Sequence, residues 1–169
     1  GELPAGQVRM SGTGNMESLD VTIHKGTVLG GTLSGDIDWN WTQSQPFNAK
    51  LAADGIDFTP LIPEFPGVLN THLTANGELE PFRLRVEIQQ LDGTIKGYPI
   101  GANGSIHIER DQVYADGLNL RSGASTLSLN GSLYEQSGIE FSADIDSLAR
   151  FSDELSGNLA TKGTLSLYP

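Results

Sequence analysis

Apolar and polar residues alternate along most of this chain, which is the pattern of strands with one face buried. Leu19, Val21 and Ile23 alternate with polar residues, and the row of Phe82, Leu84, Val86 and Ile88 behaves in the same way. Because successive side chains of a strand point to opposite faces, each segment predicts a strand with one apolar and one polar face. Roughly ten such segments predict an all-β, mostly antiparallel fold.

A glycine flanked two residues away on both sides by apolar residues recurs five times. Thr161 replaces the apolar residue in the last copy, and three of the copies are spaced 27 residues apart. A fixed period indicates an elongated stack of similar units. In a strand the glycine shares a face with its apolar flanks. The central glycines are Gly35, Gly77, Gly104, Gly131 and Gly163.

Two segments depart from the alternation and predict short helices. The first is about 59–65, with Thr59 as N-cap and Pro60 at the first helical position, and the second is about 147–155, with Ser147 as N-cap. Each follows an alternating strand and precedes a glycine-centred strand. The chain is therefore predicted to be a single repetitive β domain with related units at about 47–79 and 139–165.

Glycine-containing dipeptides between strand segments predict turns. Lys25-Gly26 and Asp92-Gly93 are the clearest examples, and the second has the composition of a tight hairpin turn. These positions would divide the chain into short strands.

Small residues are frequent among the inward positions, and two short helices could cover little of so large an apolar surface. Gly and Ala at these positions permit strong curvature and leave space between facing strands. The pattern fits a long, curved sheet folded around an apolar groove. It also fits a solid core, in which large side chains of a facing strand fill the space.

Composition excludes several classes of partner and chemistry. The 169 residues carry a formal charge of -11, which argues against nucleic acid and against simple adsorption to an anionic membrane. Cysteine is absent, so neither disulfides nor thiolate chemistry is expected. No apolar run is long enough for a membrane-spanning helix. The start at Gly1 and the end in mid-pattern predict a fragment of a longer protein.

Candidate chemical groups are scattered. His24, His72 and His107 lie at polar strand positions without a second His or Cys nearby. Two pairs of aspartates, at positions 36 and 38 and at positions 144 and 146, are typical of solvated strand faces. No nucleophile or phosphate-binding motif occurs in a suitable context. We therefore expect no catalytic residue, metal site or cofactor, and no enzymatic activity.

The order of the repeated units carries a resemblance to a known family. The units are residues 58–79 and 148–165, and a second set comprises 91–100, 102–106 and 127–133. From about residue 19 onward the sequence resembles the periplasmic part of the TamB family, the inner-membrane subunit of the translocation and assembly module. This family belongs to the wider AsmA-like group of bridge-like lipid-transport proteins.

The resemblance implies a sheet folded into a taco-like trough with an apolar interior. It implies a full-length protein anchored in the bacterial inner membrane that crosses the periplasm towards an outer-membrane β-barrel partner. It further implies roles in outer-membrane protein assembly and in phospholipid transport between the membranes, with acyl chains as the ligand.

On this interpretation the apolar side chains line a lipid groove and the five central glycines widen it. The predicted lining residues are Leu19, Val21, Ile23, Leu33, Ile37, Trp39, Phe47, Leu51, Leu69, Leu73, Phe82, Leu84, Val86, Ile100, Ile106, Leu129, Phe141, Ile145 and Leu165. Two alternatives remain open: a chaperone or scaffold segment that binds outer-membrane proteins by strand addition, and a carbohydrate-binding β-sandwich that uses Trp39 and Trp41.

Overall fold

Eleven β-strands make up most of the part of the chain that the structure describes. The computed structural model describes residues 6–42, 44–110, 112–132, 136–150 and 154–167. The strands are β1 Gln7–Gly14, β2 Ser18–Val28, β3 Gly31–Asn40, β4 Pro46–Asp57, β5 Gly67–Leu79, β6 Phe82–Ile95, β7 Tyr98–Glu109, β8 Gln112–Ser122, β9 Ser125–Ser132, β10 Ile139–Ile145 and β11 Leu159–Leu165.

All eleven strands belong to one open sheet in which spatial order equals chain order. Every neighbouring pair is antiparallel, as in a continuous meander, which confirms the predicted all-β, antiparallel class. The sheet face that carries Val21, Ile37 and Val86 is named the apolar face, and the opposite side is named the polar face. β1 and β11 are the two edges.

The prediction of two short helices is wrong. Residues 59–65 form successive turns: the carbonyl of Phe58 accepts from the N–H groups of Leu61 and Ile62, and no regular helix follows. Pro63 and Pro66 have no N–H to extend the ladder.

Among its described residues, the second segment contains a three-residue 3₁₀ helix, Leu148–Arg150, and no α-helix. The N–H of Leu148 donates to the carbonyl of Gly157 (2.9 Å), which closes the segment as a loop. Residues 151–153 of this predicted helix lie outside the described residues.

Both predicted dipeptide turns lie inside strands, at Lys25-Gly26 in β2 and at Asp92-Gly93 in β6. The β2–β3 turn is formed by Leu29 and Gly30, with φ of 48° and 78°, and the β6–β7 turn by residues 96 and 97, with φ of 51° and 78°. Positive φ at both central residues matches the twist of the flanking strands. Each hairpin therefore closes two to four residues after the dipeptide that resembles a turn.

A β-bulge interrupts each of the even strands from β2 to β8. Two consecutive residues of these strands face a single residue of the next strand. The four pairs are His24 and Lys25, Asp54 and Gly55, Gln89 and Gln90, and Asp116 and Gly117; the facing residues are Ser34, Asn70, Asn103 and Asn130. A bulge bends the strand and increases its twist.

Asparagine side chains satisfy backbone groups that two of the bulges leave unpaired. The N–H of Gly55 donates to Oδ1 of Asn70 (2.8 Å), and the N–H of Gly117 donates to Oδ1 of Asn130 (3.3 Å). Both glycines have positive φ, 65° and 57°, which an L residue adopts at a cost. Asn70 and Asn130, the latter directly before the motif glycine Gly131, therefore have a structural role at these bulges.

The repeated glycines fall into two structural groups. Gly35, Gly104 and Gly131 follow a bulge-facing residue and have φ of 153°, 125° and 107°. Gly77 and Gly163 lie in regular pairing. A Cβ at Gly77 would lie 2.1 Å from the carbonyl oxygen of Arg83, so glycine allows a close main-chain approach there as well.

The sheet has no second layer among the described residues. Contacts between elements are concentrated in neighbouring strands, and the accessible surface of 11017 Å² exceeds the roughly 8,000 Å² expected for a compact monomer of this mass. The buried apolar side chains of the described chain are Ala53, Ala115 and Leu118. The apolar face is therefore largely uncovered.

We expect Gly77→Ala to lower the free energy of unfolding by about 2 kcal/mol, because the new methyl group meets main-chain atoms that must shift. Urea unfolding followed by circular dichroism measures the change. Gly12→Ala is the matched control in β1: its Cβ would lie 3.4 Å from the nearest atom, so a change below about 0.5 kcal/mol is expected. Equal losses would show that the close approach at Gly77 does not limit the sheet.

Candidate functional site

One row of apolar residues crosses the entire sheet without a polar interruption. Directly paired residues of antiparallel strands share a face, so the row can be followed from edge to edge. It consists of Gly12, Val21, Ile37, Ala49, Ala75, Val86, Ile106, Ala115, Gly131, Ile139 and Leu165. Since adjacent strands lie about 4.8 Å apart, ten steps give a path of about 48 Å along the sheet.

Parallel rows extend this surface on both sides. One includes Leu19, Trp39, Phe47, Gly77 and Leu84, and another connects Ile23, Gly35, Leu51, Leu73 and Ile88 through Gly104. The register places every predicted lining residue and all five motif glycines on this same apolar face. Whether lipid contacts them stays a prediction.

Most side chains of the apolar face are half-buried, because each is flanked only by neighbours in the same sheet. The exposed fraction rises at the margins, to 44% for Phe82 and 55% for Leu165. Trp39 and Trp41 contact each other with ring centroids 5.9 Å apart at the end of β3. The two tryptophans thus form an aromatic margin beside Leu19 and Phe47.

Alternation alone misses several members of the apolar face. Val113 and Ala115 precede the bulge in β8, whereas Leu118 and Leu120 follow it with the opposite parity. This shift makes one strand look like two short ones in the sequence. Val8 and Met10 of β1 pair with Gly26 and Ile23 on the same face, in a segment rich in Gly, Ser and Thr. For β8, the apolar residues on both sides of Gly117 were the sequence signal that could have identified these missed members of the apolar face.

The polar face is held together by cross-strand hydrogen bonds and ion pairs. Oγ1 of Thr22 donates to Oδ1 of Asp36 (2.8 Å), and Nε of Arg83 lies 3.1 Å from Oε1 of Glu109. These exposed pairs contribute little to stability individually. No group of three or more potential metal ligands occurs within the described ranges.

A polar cluster around Asp92 occupies the same face near the β6–β7 turn. Nδ2 of Asn70 donates to Oδ2 of Asp92 (2.9 Å), and Nε2 of Gln90 donates to Oδ1 (2.6 Å). These two hydrogen bonds hold the pKa of Asp92 below its ordinary value, and the charges of Arg121 and His72 act in the same direction. The cluster borders an open cavity of about 540 Å³. The side chains of the Asp92 cluster come from β5, β6 and β8.

The single antiparallel sheet agrees with the all-β, antiparallel class that the sequence resemblance implies, whereas the taco-like trough with an apolar interior stays a prediction. A family model described as TamB, N-terminal domain, matches residues 1–166. The chain belongs to the TamB family. Comparisons with curated proteins and with solved structures give no match.

Membership in the TamB family assigns the chain to a non-enzymatic group of transport and assembly proteins. It also indicates a periplasmic or inner-membrane-anchored protein. The part of the chain that the structure describes contains no helix with the length and apolar character that a membrane crossing requires.

The Asp92 cluster predicts a specific acid dependence of stability. Because the folded pKa lies below the ordinary value of 3.8, the stabilising contribution is complete above that value and is lost as the pH falls through the folded pKa. The difference in unfolding free energy between the unaltered chain and Asp92→Asn should be larger above about pH 5 than below about pH 4, and it should narrow as the pH falls. Urea titrations at each pH measure it.

Asn70→Ala tests the cause of this pKa shift. The hydrogen bond from Asn70 has the larger effect on the pKa of Asp92. Its removal should raise this pKa, which NMR of the carboxyl group detects directly. The variant also loses the partner of the Gly55 N–H, so a uniform stability loss is expected in addition to the changed pH dependence. An unchanged Asp92 titration would contradict this assignment.

Proposed function

We propose that the apolar face carries phospholipid acyl chains, and that the chain is one segment of a route between the inner and outer membranes. The observation that supports this best is the uninterrupted apolar row from β1 to β11, which no other described element covers. Its direction is across the strands, so lipid would move from strand to strand rather than along one hairpin.

The energetic basis is the removal of hydrocarbon from water. Each CH₂ of an acyl chain costs about 0.8 kcal/mol when exposed, and the apolar side chains of the sheet are half-exposed as well. Contact between the two surfaces relieves both costs, and a charged headgroup can remain in solvent. Similar side chains in successive rows keep this gain nearly constant along the path, so movement meets no deep trap.

Curvature of the sheet is the second structural requirement of such a lipid route. The bulges on β2, β4, β6 and β8 bend the sheet locally, and at three of them, on β2, β6 and β8, a glycine follows the facing residue. We propose that this bending folds the TamB sheet into a taco-like trough with the apolar face inside. Such a conduit needs neither a catalytic group nor a cofactor.

The partner and the location follow from the family. We propose that the full-length protein is anchored in the bacterial inner membrane and crosses the periplasm to an outer-membrane β-barrel partner. In this role the segment supports outer-membrane protein assembly as well as lipid passage.

Strand addition to unfolded outer-membrane proteins is a second candidate, favoured by the two open edges. All residues of β1 and β11 are exposed, and an edge strand offers unpaired backbone groups to another chain. The carbohydrate-binding sandwich is not retained, because the described strands form one sheet and not two facing ones.

Site-specific photo-crosslinking tests the lipid proposal with matched neighbours. Crosslinkers at Ile37 and Val86 should capture phospholipid, whereas those at Asp38 and Glu87, one residue away on the polar face, should capture at least about tenfold less. Mass spectrometry of the adducts provides the measurement. Equal capture from both faces would reject the lipid route.

The same experiment separates the two candidates. Crosslinkers at Ser11 in β1 and Lys162 in β11 report on the sheet edges. Protein adducts at these edges, together with an apolar face that captures no lipid, would favour strand addition.

A further inference from the structure

The loop of residues 58–66 between β4 and β5 displays three large apolar side chains. Leu61, Ile62 and Phe65 are 53%, 48% and 51% exposed, although apolar side chains of this size are usually withdrawn from water. The loop lies at the same end of the strands as the β6–β7 turn, where Tyr98 is 42% exposed.

Most backbone N–H groups of the loop have an acceptor within the loop or at its base. The carbonyl of Phe58 accepts from Leu61 (2.9 Å) and Ile62 (3.1 Å), and Phe65 donates to the carbonyl of Ile62 (3.0 Å). Gly67 donates to Oγ1 of Thr59 (3.2 Å). With Phe58 donating to Gly67 and Thr59 to Asp57, six of the seven N–H groups in 58–67 have an acceptor in the loop or at its base.

Proline supports the same arrangement. Positions 60, 63 and 66 are prolines and carry no N–H, so they need no donor partner. The N–H groups of this loop therefore lose little when they leave water, because six of the seven are already paired. Exposed apolar side chains and paired N–H groups suit contact with a region of low water content.

The base of the loop is continuous with the apolar face. The Phe58 ring covers Gly67 so closely that a Cβ there would lie 2.6 Å from Cζ of the ring, and Gly67 pairs with Ile95 on that face. The Phe58 ring therefore extends the apolar face to the base of the loop.

Charged groups around the loop limit how deeply it can enter an apolar medium and which kind of surface it can bind. Nζ of Lys96 lies 4.4 Å from the centroid of the Phe65 ring, a cation–π contact that keeps an ammonium beside an aromatic side chain. Hydrogen bonds from Thr59 lower the pKa of Asp57, so this carboxylate stays ionised at the loop base. Together with Glu64, these groups give the loop region a slightly negative balance, which disfavours an anionic surface.

We propose that this loop inserts Leu61, Ile62 and Phe65 into the interface of a zwitterionic lipid bilayer. Aromatic and cationic groups sit at the headgroup level while aliphatic side chains reach the acyl boundary. A lipid surface fits better than a protein groove, because six of the seven N–H groups are already paired and the loop offers few donors to a partner chain. The inference does not depend on lipid transport along the sheet, and each can fail alone.

Single-cysteine labelling tests the insertion on the whole chain, which has no native cysteine. Ile62→Cys carries an environment-sensitive fluorophore, and Met16→Cys, whose native side chain is 98% exposed in the β1–β2 turn, is the control. Phosphatidylcholine vesicles should shift the emission at position 62 to the blue and leave position 16 unchanged. Admixture of phosphatidylglycerol should weaken the response, given the charge of -11.

Vesicle binding by variants of the loop is the second measurement. Ile62→Asp or Phe65→Asp should lower the fraction of chain bound to phosphatidylcholine vesicles by about tenfold or more, whereas Met16→Asp should leave it unchanged. These positions are exposed, so far-UV circular dichroism should be unaltered. Absence of vesicle binding by the unaltered chain would overturn the proposal, as would a blue shift at position 62 that needs high protein concentration and no lipid.

Discussion

Hydrogen bonding between neighbouring strands is the interaction on which the rest of this structure depends. In a layered domain, side chains of two surfaces bury each other and supply most of the stability. Here the described strands lie side by side and no other described element packs on the sheet. The inter-strand hydrogen bonds and the contacts between paired side chains therefore supply most of the stability. The close approach at Gly77 protects this ladder, because any side chain there would push the neighbouring backbone away.

The bulges explain how far the fold could be predicted from the sequence. Alternation identified the strand class and the correct face, since Val21, Ile37 and Val86 keep strict parity between irregularities. It failed at Gly26, Gly93 and Gly117, where a bulge or a close contact resembled a turn or a strand end. The prolines of segment 58–66 interrupted the helix that apolar spacing predicted, because spacing contains no information on missing N–H groups.

The candidate site was predictable to a similar extent and for the same reason. Rows of Leu, Ile and Val show which side chains lie together, but only the register shows that they connect into one path from Gly12 to Leu165. The bulge-facing roles of Asn70 and Asn130 were hidden, since an Asn at a polar strand position also matches a solvated face. The family resemblance added the expectation of lipid, which alternation by itself does not contain.

Contact restricted to chain neighbours has a consequence for how such a protein can vary. A hairpin added to or removed from an open edge changes no interaction beyond one strand pair, because no shared interior must be repacked. Each added hairpin lengthens the sheet by about 9.6 Å, twice the strand spacing. Selection can therefore change the length of the sheet in uniform increments, so that the number of hairpins sets the distance that the sheet spans.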